Sequence, residues 1–323
     1  MPNPSGLILI TGGFGYVGGR VATHLVSAAP ELSLRLTSRR DPGQVPEWAR
    51  EMDVVRADVL DTASLQPALD GVDTVVHLAA PNEIESARDP ETTLDVNGKG
   101  TYRLLEACRE QGVKRFIYFS TFHVYGPGAP QPITEATPTT PIHPYSLTHH
   151  VAEDFVNWYK HSFGMETAIL RLSNAYGFPA DPLVQRWTLV FNDLCWQAVH
   201  EGKIQLRSKG TQQRDFIPLS DVARSVEHLL GLSYGGWAHG LFNLGGECSM
   251  SIHDVAQRIS KEYTDLYGKE VPVITGDAED SQVDGPVIFN IDRLKETGFK
   301  LAGSLSDEVQ QTFELCQRIE TRG

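Results

Sequence analysis

LILITGGFGYVGGR, residues 7 to 20, opens with a short apolar run, Leu7 to Ile10, that reads as a buried parallel strand. It breaks into the turn Thr11-Gly12-Gly13-Phe14-Gly15-Tyr16-Val17-Gly18 and continues as a helical pattern with Val17, Val21, Leu25 and Val26 on one face. Each glycine has a separate task. Gly12 allows the tight turn, Gly15 lets the backbone approach a pyrophosphate, and Gly18 lets the helix pack close to the strand. The helix N-terminus adds unpaired N–H groups and a partial positive charge. Strand, turn and helix in this order predict a dinucleotide-phosphate site, with Phe14 and Tyr16 of the turn counted among its cofactor residues.

Outward from that stretch, composition limits what the rest does. The chain has 323 residues, enough for a two-lobed unit with a sizeable core. Its formal net charge is −13 with no basic run, which argues against nucleic acid or an anionic membrane as partner. Phosphates of a nucleotide ligand must then find local positive charge from a few arginines and helix ends. Cys108, Cys195, Cys248 and Cys316 lie far apart without a CxxC, so they read as free thiols of a reducing, cytoplasmic compartment and not as a metal site. The apolar run at the start is too short for a signal peptide or a membrane span.

The second strand, Leu32 to Leu36, ends in Thr37-Ser38-Arg39-Arg40. An acid at this strand end would accept hydrogen bonds from the adenosine ribose, yet no acid stands before Asp41. Ser38 and Arg39 instead offer a hydroxyl and a planar cation suited to a 2′-phosphate, which points to NADP, with NAD the alternative. Met52 to Arg56 is a third strand, and Asp58 and Val59 behind it are placed to contact adenine. Thr74 to His77 is a fourth, followed by Leu78, Ala79 and Ala80, whose modest side chains let a cofactor lie close. Thr92 to Gln111 reads as one helix with Leu94, Thr101, Leu104, Leu105 and Cys108 inward, and Asn97 within it ties the helix to neighbouring backbone. Arg115 to Ser120 is a strand ending in Thr121. Strands alternating with helices mean a parallel sheet with right-handed crossovers and ligands at the strands' C-terminal ends.

TGGFGYVG, ADVLD, VVHLAA, DVNGKGT, YFSTFHVYG, PITE, YSLTHHVAE, LRLSNAYG, RDFIPLSDVA and FNLGG follow one another from about residue 7 to residue 300. In this order they resemble the extended short-chain dehydrogenase/reductase family, and more narrowly its nucleotide-sugar epimerase/dehydratase branch. The resemblance implies a Rossmann-type fold, a nicotinamide cofactor and a UDP-, GDP- or dTDP-sugar substrate. It also implies that Thr121, three residues before Val124-Tyr125-Gly126, bonds the reacting oxygen, and that Tyr145 gives or takes the proton during hydride transfer. Leu172 and Asn97 join the cofactor set. Asn174 and Arg214 match residues that hold the substrate diphosphate, Arg214 unless it pairs with Asp215 or a neighbouring acid. Pairing of family members through the Asn97 and Tyr145 helices implies a homodimer.

Two departures stand out. Where the family has Tyr-x-x-x-Lys, this chain has Tyr145-Ser146-Leu147-Thr148-His149. A unit charge about 5 Å from the phenol, at an effective dielectric of about 20, is worth roughly 3 kcal/mol, or about two pKa units. A neutral His149 keeps a ribose hydrogen bond and loses that electrostatic help; only a protonated one restores it. His150 points elsewhere on the helix. The second departure is Phe122-His123, where dehydratases carry Asp-Glu; Phe122 cannot serve water loss, while His123 is a candidate acid or base on the sugar ring.

Beyond Asn174 the chain leaves the sheet. Pro179 to Arg207 is a mainly helical excursion whose Trp187, Phe191 and Trp196 serve as small-lobe core or as a wall against a base, and Arg214 to Ile217 returns to the sheet. The expected fold is α/β, a doubly wound parallel sheet of residues 1–173 plus 214–245 with a discontinuous substrate lobe of 174–213 plus 246–323. The expected function is NADP-dependent hydride transfer at C4 of a nucleotide sugar. A nucleotide-sugar 4-epimerase with bound NAD is the alternative, and a catalytically silent dinucleotide-binding protein the third reading.

Overall fold

The computed structural model describes residues 6–39, 41, 45–184, 186–278 and 285–319. Arg40, Gln185 and the segments 1–5, 42–44, 279–284 and 320–323, which the expected lobe boundaries include, lie outside the described residues. The first half of the chain runs β1 (Leu7–Thr11), α1 (Tyr16–Ala28), β2 (Ser33–Ser38), β3 (Asp53–Arg56), α2 (Thr62–Leu69), β4 (Val72–His77), α3 (Glu83–Arg88), α4 (Pro90–Leu94), α5 (Thr101–Gln111), β5 (Arg115–Thr121), α6 (Pro144–Phe163) and β6 (Glu166–Leu172). The second half runs β7 (Asn174–Tyr176), α7 (Val190–His200), β8 (Ile204–Gln205), β9 (Gln213–Pro218), α8 (Leu219–Gly231), β10 (Leu241–Leu244), β11 (Ser249–Ser251), α9 (Ile252–Tyr267), β12 (Val273–Ile274), α10 (Asp292–Glu296) and α11 (Leu305–Arg318).

Seven parallel strands form the main sheet in the order β3-β2-β1-β4-β5-β6-β10. Connections after β1 run one way and those after β4 the other, so the sheet's switch point falls between β1 and β4, where the crevice for a ligand opens. Alternation along each strand feeds two cores. Ile8, Ile10, Ile117 and Leu170 pack with α1 and α8 on one face; Leu9, Phe116, Tyr118 and Ile169 pack with α2, α5 and α6 on the other. A third core joins Trp187, Phe191 and Trp196 to Phe216, Ile259 and Phe313 of β9, α9 and α11, so the three aromatics serve as core.

Four details differ from the sequence reading. Val26 is 49% exposed, because one residue past Leu25 rotates by about 100° away from the buried stripe. The helix expected over Thr92 to Gln111 is continuous but not α throughout: α4 and α5 are joined by a π-helical turn, Asp95–Gly100. That turn shifts the helical phase, leaving Leu94 50% exposed while Thr101, Leu104, Leu105 and Cys108 stay buried. Glycine permits the close approach here, since a Cβ on Gly100 would stand 2.7 Å from the Val59 side chain. Finally, Arg214 to Ile217 does not rejoin the main sheet; β9 lies between β7 and β11 in a separate three-stranded sheet. Among the described residues no helix is long and apolar enough to cross a membrane.

Candidate active site

The glycine turn leaves its outer surface bare. Gly12 has φ +66°, and a Cβ there would meet Ala79 N at 2.8 Å, so the turn lies directly on the residues that follow β4. A Cβ on Gly18 would stand 2.2 Å from the Gly12 carbonyl oxygen, which forces glycine where α1 passes the turn. Gly15 is the N-cap of α1 and supplies no side chain to bond the free N–H groups, and a Cβ there would touch only the Gly12 carbonyl oxygen, at 3.1 Å. Phe14 packs on Trp48 with ring centroids 5.6 Å apart. The Tyr16 hydroxyl donates to the Gly177 carbonyl oxygen at 2.8 Å and so ties the turn to the segment after β7.

Most of the other expected cofactor residues follow the C-terminal ends of β2, β3 and β4. Leu78 N and Ala79 N donate to the Thr11 hydroxyl at 3.2 and 3.4 Å, holding the β4 exit against β1, with Ala80 exposed beyond them. Ser38 ends β2 half-buried and Arg39 is exposed, while Asp41, the first acid after them, accepts from Arg56 at 3.0 Å. Asp58 Oδ1 accepts from Leu60 N at 2.9 Å, and Val59 is buried against the π turn. The tie made by Asn97 runs to a side chain and not to backbone: its Nδ2 donates to Thr148 Oγ1 on α6 at 2.9 Å, and its Oδ1 is buried without a partner.

A cavity of about 300 Å³ opens beside this crevice, lined by Thr121, His123, Tyr145, Leu172, Asn174 and Arg214 among others. A second, of about 430 Å³, shares His123, Tyr145, Asn174 and Arg214 with it. Thr121 ends β5, and its Oγ1 accepts from His123 N at 3.2 Å. Pro144 opens α6, and His143 Nδ1 accepts from Tyr145 N at 3.2 Å, so the phenol projects from a capped first turn. Burial pushes the Tyr145 phenol up, and the Glu83 carboxylate adds to this; the Arg186 guanidinium and the nearby Thr121 hydroxyl pull it back only in part.

His149 lies one turn along α6, its ring centroid 4.6 Å from that of Tyr145. Burial, with a smaller push from His123, holds its imidazole down at about 3 against the opposing Glu83 charge, so at pH 7 it is neutral and does not restore the lysine's charge. Its Nδ1 bonds the Tyr118 hydroxyl at 2.7 Å, and its Nε2 is buried with no partner. His150 faces away and bonds Thr139 Oγ1 at 2.9 Å. His123 faces the open cavity 6.2 Å from the Tyr145 ring, and the atoms around it push its imidazole down to about 4.

Asn174 and Arg214 are brought together from β7 and β9. Asn174 Nδ2 donates to the Asp215 carbonyl oxygen at 2.8 Å, and Arg214 donates to Gln212 Oε1 at 2.8 Å. The Asp215 carboxylate instead accepts from Gly246 N and Cys248 N, at 3.0 and 2.9 Å, which leaves the Arg214 guanidinium facing the cavity. The residues fit a dinucleotide on this chain's own terms: a bare glycine turn, an uncapped helix N-terminus, and two buried polar atoms, His149 Nε2 and Asn97 Oδ1, without protein partners.

Sequence reasoning missed Glu83 and Arg186, which form a 3.0 Å ion pair on the cavity wall, and Tyr118 behind His149. Glu83 opens α3 and Arg186 lies in the segment before α7, 103 residues away, with no local pattern to join them. Tyr118 carried one weak signal, a polar hydroxyl at an inward position of a core strand.

Residues 8–245 match the family described as "NAD dependent epimerase/dehydratase family". A putative UDP-glucose 4-epimerase of Methanocaldococcus jannaschii is 28% identical over 261 residues, 79% of this chain and 82% of that protein. The UDP-glucose 4-epimerase of Streptomyces lividans is 31% identical over 290 residues, 84% of each chain. Among solved structures, MoeE5 in complex with UDP-glucose and NAD superposes with a TM-score of 0.78 at 26% identity, over 97% of this chain and 99% of that one.

Proposed function

Because the chain belongs to the NAD-dependent epimerase/dehydratase family, we propose that it inverts C4 of a nucleotide-activated sugar, using Thr121, Tyr145 and His149. The observation that carries this reading is the Tyr145 phenol facing the same cavity of about 300 Å³ as Thr121, Asn174 and Arg214. A bound nicotinamide supplies the acceptor, and then the donor, of the C4 hydride. Tyr145 takes the proton from the C4 hydroxyl as the hydride leaves, and Thr121 holds the same oxygen in line. Tyr145 would give the proton back when the 4-keto carbon is reduced from its other face, so the cycle would need no net oxidant. Asn174 and Arg214 hold the diphosphate, where a guanidinium matches paired anionic oxygens. Neutral His149 serves the cofactor as a hydrogen-bonding group and not as a charge. His123, neutral at pH 7, lines the wall facing the sugar. Phe122 leaves no acid for water loss, which sets dehydration aside.

The relatives' printed activities and the NAD and UDP-glucose bound to MoeE5 support NAD and a UDP-sugar. A second reading, an NADP-dependent 4-ketoreductase, is favoured by one observation: β2 ends in Ser38 and exposed Arg39 with no ribose-binding acid.

The test is to give the purified protein UDP-glucose, UDP-galactose and their N-acetyl and dTDP counterparts, with the products separated by chromatography. Inversion at C4 without added cofactor, lost in Tyr145→Phe, is the expected result. NADPH consumption on 4-keto sugars without inversion would favour the reductase. Inversion that survives Tyr145→Phe would overturn the catalytic assignment, and dinucleotide binding without either reaction would identify a silent binder.

A further inference from the structure

The family's lysine donates from an ammonium that carries three protons. A neutral imidazole carries one, and which nitrogen holds it decides whether His149 donates or accepts at its free edge. We propose that Tyr118 is a positioning residue that holds His149 as its Nε2–H tautomer, so that a neutral N–H donor replaces the missing ammonium in the cofactor crevice. The proposal rests on the dinucleotide reading above.

The hydrogen-bond inventory carries the argument. Tyr118 stands in the middle of β5, with its hydroxyl 2.7 Å from His149 Nδ1, and both side chains are buried, at 3% exposure each. Among the described residues the phenol has no other hydrogen-bond partner. Its neighbour in register, His77, is already bonded on both ring nitrogens, to Thr11 Oγ1 at 2.6 Å and to Thr101 Oγ1 at 3.0 Å, so it offers Tyr118 nothing.

Two arrangements remain. If Nδ1 carried the ring proton, it would donate to the phenol oxygen, and the phenolic O–H would be buried with no acceptor. If the phenol donates to Nδ1, that penalty disappears and the ring proton sits on Nε2. Burial pushes the Tyr118 phenol up, so it stays protonated and remains a donor. Nε2 is the ring atom with no protein partner, beside the Tyr145 ring whose centroid lies 4.6 Å from that of His149. The groups that face His149 are Tyr118 from β5, His77 from β4, Tyr145 on its own helix, and, through charge, His123 and Glu83. None of them offers Nε2 a hydrogen bond, which reserves that N–H for a bound group.

The experiment is nitrogen NMR on histidine-labelled protein together with NAD titration calorimetry, for the wild type, Tyr118→Phe, His149→Gln and the double variant. The wild type should show His149 protonated at Nε2. Tyr118→Phe should release the tautomer toward Nδ1–H and weaken NAD binding by about two- to tenfold, the worth of one neutral hydrogen bond. In the His149→Gln background, where an amide donates without any tautomer to fix, Tyr118→Phe should leave NAD affinity unchanged. An Nδ1–H signal in the wild type overturns the proposal, whatever becomes of the Tyr118→Phe protein. An unshifted tautomer in Tyr118→Phe, or equal losses in both backgrounds, overturns it as well. An Nε2–H signal in a wild type that binds no NAD would instead overturn the dinucleotide reading and leave the tautomer assignment standing.

Discussion

The Glu83 carboxylate lies 3.0 Å from the Arg186 guanidinium on the wall of the cavity that holds Tyr145, and the two act on the phenol in opposite senses. Burial pushes the Glu83 carboxyl up, but the Arg186 charge and its hydrogen bonds outweigh this, so Glu83 is ionised at neutral pH. Its negative charge disfavours the tyrosinate that takes the C4 proton. Glu83→Gln removes that charge and frees the Arg186 cation, and both changes favour the tyrosinate. The rise of kcat/KM with pH should therefore move to lower pH by roughly 1 unit. A pH–rate profile decides it; a shift to higher pH, or none, counts against Glu83 as a tuner of Tyr145.

Acid should weaken the fold as pH falls below about 6.5. His77 and His149 are buried neutral, both pushed down to about 3 from an ordinary value of 6.5. Their stabilising contribution is complete above pH 6.5 and is lost as pH falls from there toward about 3, at about 1.4 kcal/mol per pH unit for each ring. Urea unfolding at pH 7.5, 6.5 and 5.5 should show the decline, and His149→Gln should flatten it. A stability constant over that range would refute the buried-neutral description.

Cofactor choice rests on the end of β2. If Ser38 and Arg39 read a 2′-phosphate, NADP binds more tightly than NAD, and Arg39→Ala narrows the gap by about tenfold, the loss of one charge-assisted contact. If the chain follows the NAD-bound MoeE5, NAD binds more tightly and Arg39→Ala changes little. Calorimetric titration with both nucleotides separates the two.

Assembly is readable from an unpartnered face. Leu147 is 45% exposed and Trp158 46%, on one side of α6, with Val151 between them and with Leu94 and Tyr102 exposed on α4 and α5. Helices presenting such a stripe would pair with a second copy in a four-helix bundle. Light scattering should report a homodimer at micromolar concentration, and Trp158→Asp with Val151→Arg should yield a monomer that keeps its helix content. A wild-type monomer would remove the proposal.

Whatever a short-range pattern can encode is legible along the chain. The apolar run, glycine spacing and helical period of residues 7 to 20 dictate strand, turn and helix, because backbone sterics and burial act within those few residues. The order of the later motifs determined the parallel sheet in the same way. Tertiary structure decided the rest, because it depends on side chains meeting across the sheet. Whether His149 is charged depends on how deeply β5 and α6 bury it, and its free nitrogen depends on Tyr118, 31 residues away. The Glu83–Arg186 pair spans 103 residues and has no trace in either segment alone. The π turn inside the helix over Thr92 to Gln111 is likewise invisible to periodicity, and there Gly100 packs closely against Val59, a contact 41 residues away in the chain.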